Sequence, residues 1–277
     1  MKLGRFTIQE VLFGNFRLDG GCMFGSVPKN LWTKSIAADE ENCIPLVCRS
    51  LLIRDGARTF LIDVGMGDKW GEKQRQIFAI QNTPLNTWGF NRDEVTDIIL
   101  THLHFDHAGG ITHYNEANEP ELSFPKARIH LQEANWIHAQ NPTPKDRASY
   151  LPENVLPLKG SLLSLYQGDS EIHPGISVHR VDGHTPGQQW IEIQDDGASL
   201  FFATDLIPTA HHISLPYHMG YDVCAATLLA EKKDFLERAV NEDALVCFQH
   251  DRDTPTVQVT RDVRGQYAIK VRGFPRG

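Results

Sequence analysis

Five of the thirteen histidines stand where side chains can do chemistry. The stretch Thr101-His102-Leu103-His104-Phe105-Asp106-His107-Ala108-Gly109-Gly110 sets three imidazoles and a carboxylate just past the apolar run 96–100. Their spacing does not lie on one helical face, and the glutamate of an HExxH zinc helix is missing. In a tight turn, however, neighbouring side chains diverge, so two can reach one metal ion and two a second one about 3.5 to 4 Å away. Four ligands do not complete two sites. Three further strand ends supply more: His184 after ISVHRV, Asp205 closing SLFFATD, and His250 closing ALVCFQH ahead of Asp251. A His or Asp just beyond a β-run, repeated, is what a metal centre at the rim of sheets requires, because a rigid element then holds each ligand while leaving it open to solvent.

Imidazole and carboxylate donors without thiolate suit two divalent metal ions, Zn²⁺ first, with Fe, Mn or Co also compatible. Two such cations lower the pKa of a water bridging them and polarise a carbonyl or phosphoryl oxygen. Asp106 is the candidate catalytic residue: a carboxylate among the imidazoles, it could carry a proton to the leaving oxygen. The expected chemistry is hydrolysis by attack of a metal-bridging hydroxide, without a covalent intermediate.

The elements that must position these residues are legible as short apolar runs. Residues 46–53 and 59–65, separated by Arg-Asp-Gly-Ala, read as a hairpin. Runs 96–102, 128–131, 176–182, 189–194, 199–205 and 244–250 read as further strands. Helices are expected at 132–139 and at 222–240, where apolar residues keep helical spacing. Four prolines within 140–160 predict a loop excursion, and the chain after 251 reads as a polar tail. Strands in two blocks with helices between them predict two packed sheets covered by helices.

The chain has 277 residues, 41% hydrophobic and 22% charged, with a formal charge of −8. That balance suits a globular protein and disfavours nucleic acid as the main ligand. No apolar run reaches the roughly 18 residues of a membrane span. The N-terminus lacks the apolar stretch and small-residue site of a signal peptide, so a cytoplasmic location is expected. Five scattered cysteines without a CxxC pair read as reduced thiols.

The series His102-x-His104-x-Asp106-His107, His184, Asp205, His250 resembles, in the same chain order, the ligands of the metallo-β-lactamase-fold hydrolases. Leu61-Ile62-Asp63-Val64-Gly65 is similar to the family's early strand, whose Asp lies close behind the metals, so Asp63 is expected to orient a ligand. The resemblance covers about residues 44–251. It implies an α/β fold, an αββα sandwich of two mixed β-sheets flanked by helices, forming a single domain over 1–277 with segment 1–43 bordering the pocket. By the same resemblance His102, His104 and His184 would bind one metal, Asp106, His107 and His250 the other, with Asp205 bridging. The intact His104 separates the chain from the flavodiiron reductases of the fold, which usually carry Glu there.

The stretch Leu18-Asp-Gly-Gly-Cys-Met-Phe-Gly-Ser-Val-Pro-Lys29 resembles the N-terminal segment of the branch that holds quorum-quenching N-acyl-homoserine lactonases and organophosphate-degrading relatives. Phe248-Gln249-His250-Asp251 is similar to that branch's strand end. Met23, Phe24, Val27, Leu31 and Trp32 are then expected to wall a pocket for an acyl chain. The implied substrate is a small molecule, an N-acyl-homoserine lactone or related ester. The alternatives are an aryl-phosphotriester and, in the manner of glyoxalase II, a glutathione thioester. Homodimers are common on the branch, and the N-terminal apolar loop or the 140–160 excursion would form the contact. Two positions depart from the pattern. Pro208 stands where the best-known lactonases carry a tyrosine that holds the substrate carbonyl, with His212 and Tyr217 the candidate substitutes among His211, His218 and Tyr221 nearby. Gln188 replaces the second histidine of the frequent HTPGH.

Overall fold

In the strand Cys43–Asp55, Leu51 and Ile53 point one way and Leu52 the other, and all three are buried. Phe60 and Ile62 against Leu61, and Leu200 and Phe202 against Phe201, repeat the pattern. A strand apolar on both faces must be covered on both. The computed structural model, which describes residues 1–84 and 87–272, meets that demand with two sheets face to face and helices outside them.

The first sheet runs in the order Lys2–Leu3, Phe6–Asp19, Cys43–Asp55, Arg58–Ile62, Asp97–Ile99, Arg128–Gln132, Leu162–Tyr166, with Gln81–Asn82 paired to Phe6–Asp19. It is antiparallel up to Arg58–Ile62 and parallel beyond. The second sheet runs Ser170–His173, Ile176–Val181, Gln188–Asp195, Ala198–Phe202, Leu245–Cys247, Thr256–Arg261, Tyr267–Arg272. Among the described residues its parallel pair joins Ala198–Phe202 to Leu245–Cys247. Both sheets are therefore mixed. Phe6, Phe60 and Ile99 from the first meet Ile176, Ile191 and Phe202 from the second in the central layer. Outside the second sheet, the helix Ala225–Asn241 presses Leu228, Phe235 and Leu236 onto Phe201 and Val246. Short helices, among them Glu133–Gln140 and Pro152–Val155, cover the first.

The expected hairpin forms, with Leu52 opposite Leu61 and Asp55 opposite Arg58. Three expectations are corrected. Residues 6–19, not read as a strand, form one of 14 residues that pairs with Cys43–Asp55 from Thr7↔Arg54 to Asp19↔Cys43. Its first half buries Phe6 and Ile8 between the sheets and its second half buries Val11, Phe13 and Phe16 on the outer face, so no single alternation runs through it. The tail after 251 is a hairpin, Thr256–Arg261 with Tyr267–Arg272, extending the second sheet. The long helix starts at Ala225 rather than 222. The 140–160 excursion holds short turns, Arg147–Ser149, Pro152–Val155 and Leu156–Gly160.

Candidate metal centre

The central parallel strand Asp97–Ile99 ends at the rim and delivers Thr101 and His102. His104 caps the one-turn helix Phe105–Ala108, which carries Asp106 and His107. The turn then has to pass hard against the loop after Asp63. A Cβ on Gly109 would overlap the Met66 carbonyl and one on Gly110 the Val64 carbonyl, so the glycine pair is a steric requirement. Lys69 Nζ fastens the same turn through Gly109 O (2.5 Å) and Thr112 O (2.6 Å).

The remaining candidate ligands arrive from the second sheet. His184 follows Ile176–Val181, Asp205 sits in the turn Thr204–Leu206 after Ala198–Phe202, and His250 follows Leu245–Cys247. Thr204 has φ 48°, a left-handed conformation costly for a β-branched residue, and this bend aims Asp205 inward. Arg49, 2% exposed, donates to Phe248 O (2.7 Å) and Asp251 O (2.6 Å), clamping the backbone on either side of His250.

All seven side chains are buried and meet in two groups: His102, His104, His184 and Asp205; and Asp106, His107 and His250. Asp205 belongs to both, with Oδ2 3.1 Å from His184 Nε2 and Oδ1 3.0 Å from His250 Nε2. Asp63, at φ 54°, stands behind the second group. Its carboxylate accepts from Thr101 N (2.7 Å), Thr101 Oγ1 (2.7 Å), Gln249 Nε2 (2.7 Å) and His107 Nδ1 (2.9 Å).

The hydrogen bonds also fix the tautomers. His107 donates Nδ1–H to Asp63, and His250 donates Nδ1–H to Val47 O (2.9 Å), which leaves a lone pair on each Nε2. Those two Nε2 atoms face one another at 3.4 Å. His184 donates Nδ1–H to Asp222 (2.9 Å) and turns its Nε2 lone pair to His104 Nδ1 at 3.2 Å. Opposed lone pairs repel unless a cation or proton lies between them. His102 Nε2 and Asp205 Oδ1, both buried, lack a hydrogen bond of acceptable geometry. Divalent metal ions fit this donor set at both groups.

The electrostatics agree. Burial first, and then the neighbouring imidazoles, hold His102 and His104 well below the usual histidine range. His184 is pushed up to about 9: burial opposes the rise, and the carboxylates of Asp205 and Asp222 overcome it. His107 rises well above its ordinary value, against burial, through Asp106 and Asp205. The carboxylates thus demand positive charge here, and a proton on His184 or His107 meets the demand until a metal does.

A cleft of about 460 Å³ opens over His104, Asp106, His184, Asp205 and His250. Its walls are largely apolar, with Phe16, Leu18, Leu46, Trp70, Phe78 and Phe105 among them. Met23 lines it, whereas Phe24, His212 and Tyr217 do not. Phe24 is fully buried, stacked between Trp32 (5.2 Å) and His212 (4.6 Å) with Tyr217 edge-on at 6.1 Å. The helix Gly20–Phe24 is a single turn, so Met23 and Phe24 face different surroundings. Trp32 is likewise core, and Leu31 is exposed. The tyrosine that does line the cleft is Tyr221. Pro208 accepts the His250 N–H (3.0 Å) through its carbonyl, and Gln188 lies buried with Nε2 3.5 Å from Thr204 Oγ1. The roles of Thr101, Gln249 and Asp222 carry no spacing signal in the sequence: Thr101 lies beside His102, Asp222 holds His184 from 38 positions away, and Gln249 holds Asp63 from 186.

Against known proteins, the family described as the metallo-beta-lactamase superfamily matches residues 43–250. The chain belongs to that superfamily. An N-acyl homoserine lactonase of Bacillus cereus is 31% identical over 172 residues, 61% of this chain and 61% of its own. The chain thus spans about 61% of the length of that curated relative. Among solved structures, a probable metal-dependent hydrolase from Staphylococcus aureus superposes with TM-score 0.88 at 28% identity, covering 98% of this chain and 99% of the other. A dizinc quorum-quenching lactonase superposes with TM-score 0.77 at 20% identity, covering 98% and 96%, a likeness of fold.

Proposed function

We propose that this chain is a two-metal hydrolase that opens lactones or related esters bearing an apolar acyl chain, N-acyl-homoserine lactones foremost. The observation that carries the reading is Asp205, whose carboxylate reaches both imidazole groups beneath an apolar cleft: Oδ2 lies 3.1 Å from His184 and 3.4 Å from His107, and Oδ1 3.0 Å from His250. In this reading His102, His104 and His184 hold one ion, Asp106, His107 and His250 the other, and Asp205 both. Two divalent cations, zinc in this proposal, would supply a water of lowered pKa and an electrophile for the carbonyl oxygen. Asp106, at the cleft floor, carries the proton to the leaving alkoxide. Asp63 and Asp222 hold the rings of His107 and His184, and the apolar walls exclude water around an acyl chain.

Trp70, Phe78 and Phe105 meet edge-on or tilted at 5.1–5.9 Å and line the cleft, which favours an aryl phosphotriester as the second reading. A glutathione thioester, anionic, finds only Lys145 among the described cleft residues, and its Nζ already donates to Gly220 O (2.7 Å). The proposal extends to a quorum-quenching role, to one domain over residues 1–277, to a homodimer, and to a cytoplasmic setting. Five unpaired cysteines are compatible with that setting, and no described helix is long and apolar enough to cross a membrane.

The test is turnover by metal-quantified protein on short- and long-chain homoserine lactones, an aryl ester, a phosphotriester and a glutathione thioester. Lactone opening that rises with chain length is expected. Two bound metals with phosphotriester turnover alone would move the assignment to the second reading. Asp106→Ala retaining both metals and full turnover would remove Asp106 from the chemistry.

A further inference from the structure

A second, smaller cavity of about 140 Å³ shares no lining residue with the cleft. Val64 and Gly67 of the loop after Asp63 and Gly110 beside the Phe105–Ala108 turn line it, together with Trp88 and Arg92. Arg92 opens the short turn Arg92–Glu94, fixed by a capping box from Asn91. Its guanidinium lies 5.7 Å from the ring of Trp88 and 5.8 Å from that of Phe124.

What sets Arg92 apart is the partner it lacks. Arg49, Arg58 and Arg238 each meet a carboxylate, from Glu10, Asp97 and Glu192. The Nε of Arg92 is buried without a hydrogen bond, and no described carboxylate reaches ion-pair distance. Burial alone pulls it below the usual arginine range, with Asp68 a weaker opposing influence. The side chain as a whole is half-buried, and its buried Nε costs stability unless an acceptor meets it. Its planar fork of donors matches the paired oxygens of an oxyanion. Thr83 and Ser123 bring hydroxyls to the same cavity, and His113 hydrogen-bonds Ser123 Oγ at 3.3 Å.

We propose that this cavity binds a small oxyanion, a short carboxylate or inorganic phosphate, with Arg92 as its principal ligand. Asp68, exposed on the same lining, disfavours a dianion, so a singly charged oxyanion is the better occupant.

The site is tested by calorimetric titration of metal-loaded protein with acetate, phosphate and sulfate at constant ionic strength, on wild type and Arg92→Met. Anions that reach the metals contribute equally to both proteins, so the difference reports the cavity. Affinity for acetate or phosphate is expected to fall about tenfold or more in Arg92→Met, the loss of a charge-assisted contact, with sulfate weaker throughout. Crystals of the wild type grown with acetate, and with phosphate, provide a readout independent of how the variant folds: density is expected at the guanidinium. Identical titrations with no such density would overturn the proposal. Density without Arg92-dependent heat would mark an adventitious ion only and overturn it equally.

Discussion

A metal ligand is only as good as the group that holds its other ring nitrogen. Asp222 holds His184 through Nδ1 at 2.9 Å while its second oxygen accepts the Met219 N–H at 2.7 Å. Asp222→Ala frees the ring to rotate, and affinity for the metal at the His102 group is expected to drop about 10- to 100-fold. Competitive chelator titration measures this; an unchanged metal content at limiting free metal would show that the ring is held without Asp222. Tyr221 poses a different residue-scale question, because it lines the cleft and Pro208 does not. A tyrosine hydroxyl carries its proton at neutral pH, and burial raises its pKa further, so it is available as a donor. Tyr221→Phe is expected to lower kcat/KM roughly ten- to hundredfold with both metals retained, the range for one lost donor to a developing oxyanion. Unchanged kinetics would exclude the hydroxyl from substrate contact. The seven grouped residues were legible in the sequence because each follows an apolar β-run. Asp222 was not, because its contact with His184 spans 38 positions and is made only in the fold.

At the scale of elements, the centre depends on two backbones pressed together rather than on more ligands. Gly109 tolerates no Cβ against the Met66 carbonyl, so Gly109→Ala must push the Phe105–Ala108 turn away from the loop behind it. Asp106 and His107 move with the turn. The expected result is loss of one metal per chain, read by elemental analysis, with a thermal midpoint lowered even at saturating metal. Phe235→Ala is the contrasting case, a cavity under the long helix in a cluster that excludes the ligands. It should cost about 3–5 kcal/mol by denaturant titration and leave metal stoichiometry intact. If both variants lost metal equally, the centre would be sensing global stability rather than the glycine contact. The same distinction explains which elements the sequence revealed. Strands buried on both faces, such as Arg58–Ile62, show as unbroken apolar runs. Phe6–Asp19 switches its buried face midway and so hides its period, and with it Phe16 and Leu18 on the cleft wall.

For the molecule as a whole, buried titratable groups set how stability responds to acid. His212, 1% exposed, donates Nε2–H to Met23 O (2.8 Å) and accepts at Nδ1 from Thr209 Oγ1 (2.7 Å), so only the neutral ring satisfies both partners. Burial brings its pKa down to about 3. The unfolded chain, with a histidine pKa near 6.5, then binds the proton that the folded one refuses, and stability falls as pH drops from about 6.5 toward 3. The slope approaches about 1.4 kcal/mol per pH unit for this one group. Asp97 adds to the loss at lower pH: burial opposes its ionisation, yet His130 and Arg58 hold it well below the usual carboxylate range. Its contribution is complete above about 3.8 and is lost as pH falls beneath that value. His212→Gln keeps a donor for Met23 and removes the titration, so its midpoint temperature should fall less than that of wild type between pH 7 and pH 5, whatever it loses at neutrality. Both proteins share the metal centre, whose own acid sensitivity cancels in the comparison. Parallel pH profiles would mean that the His212 pocket opens to admit the proton, and that the segment joining Met23 to the 209–212 turn is looser than its hydrogen bonds imply.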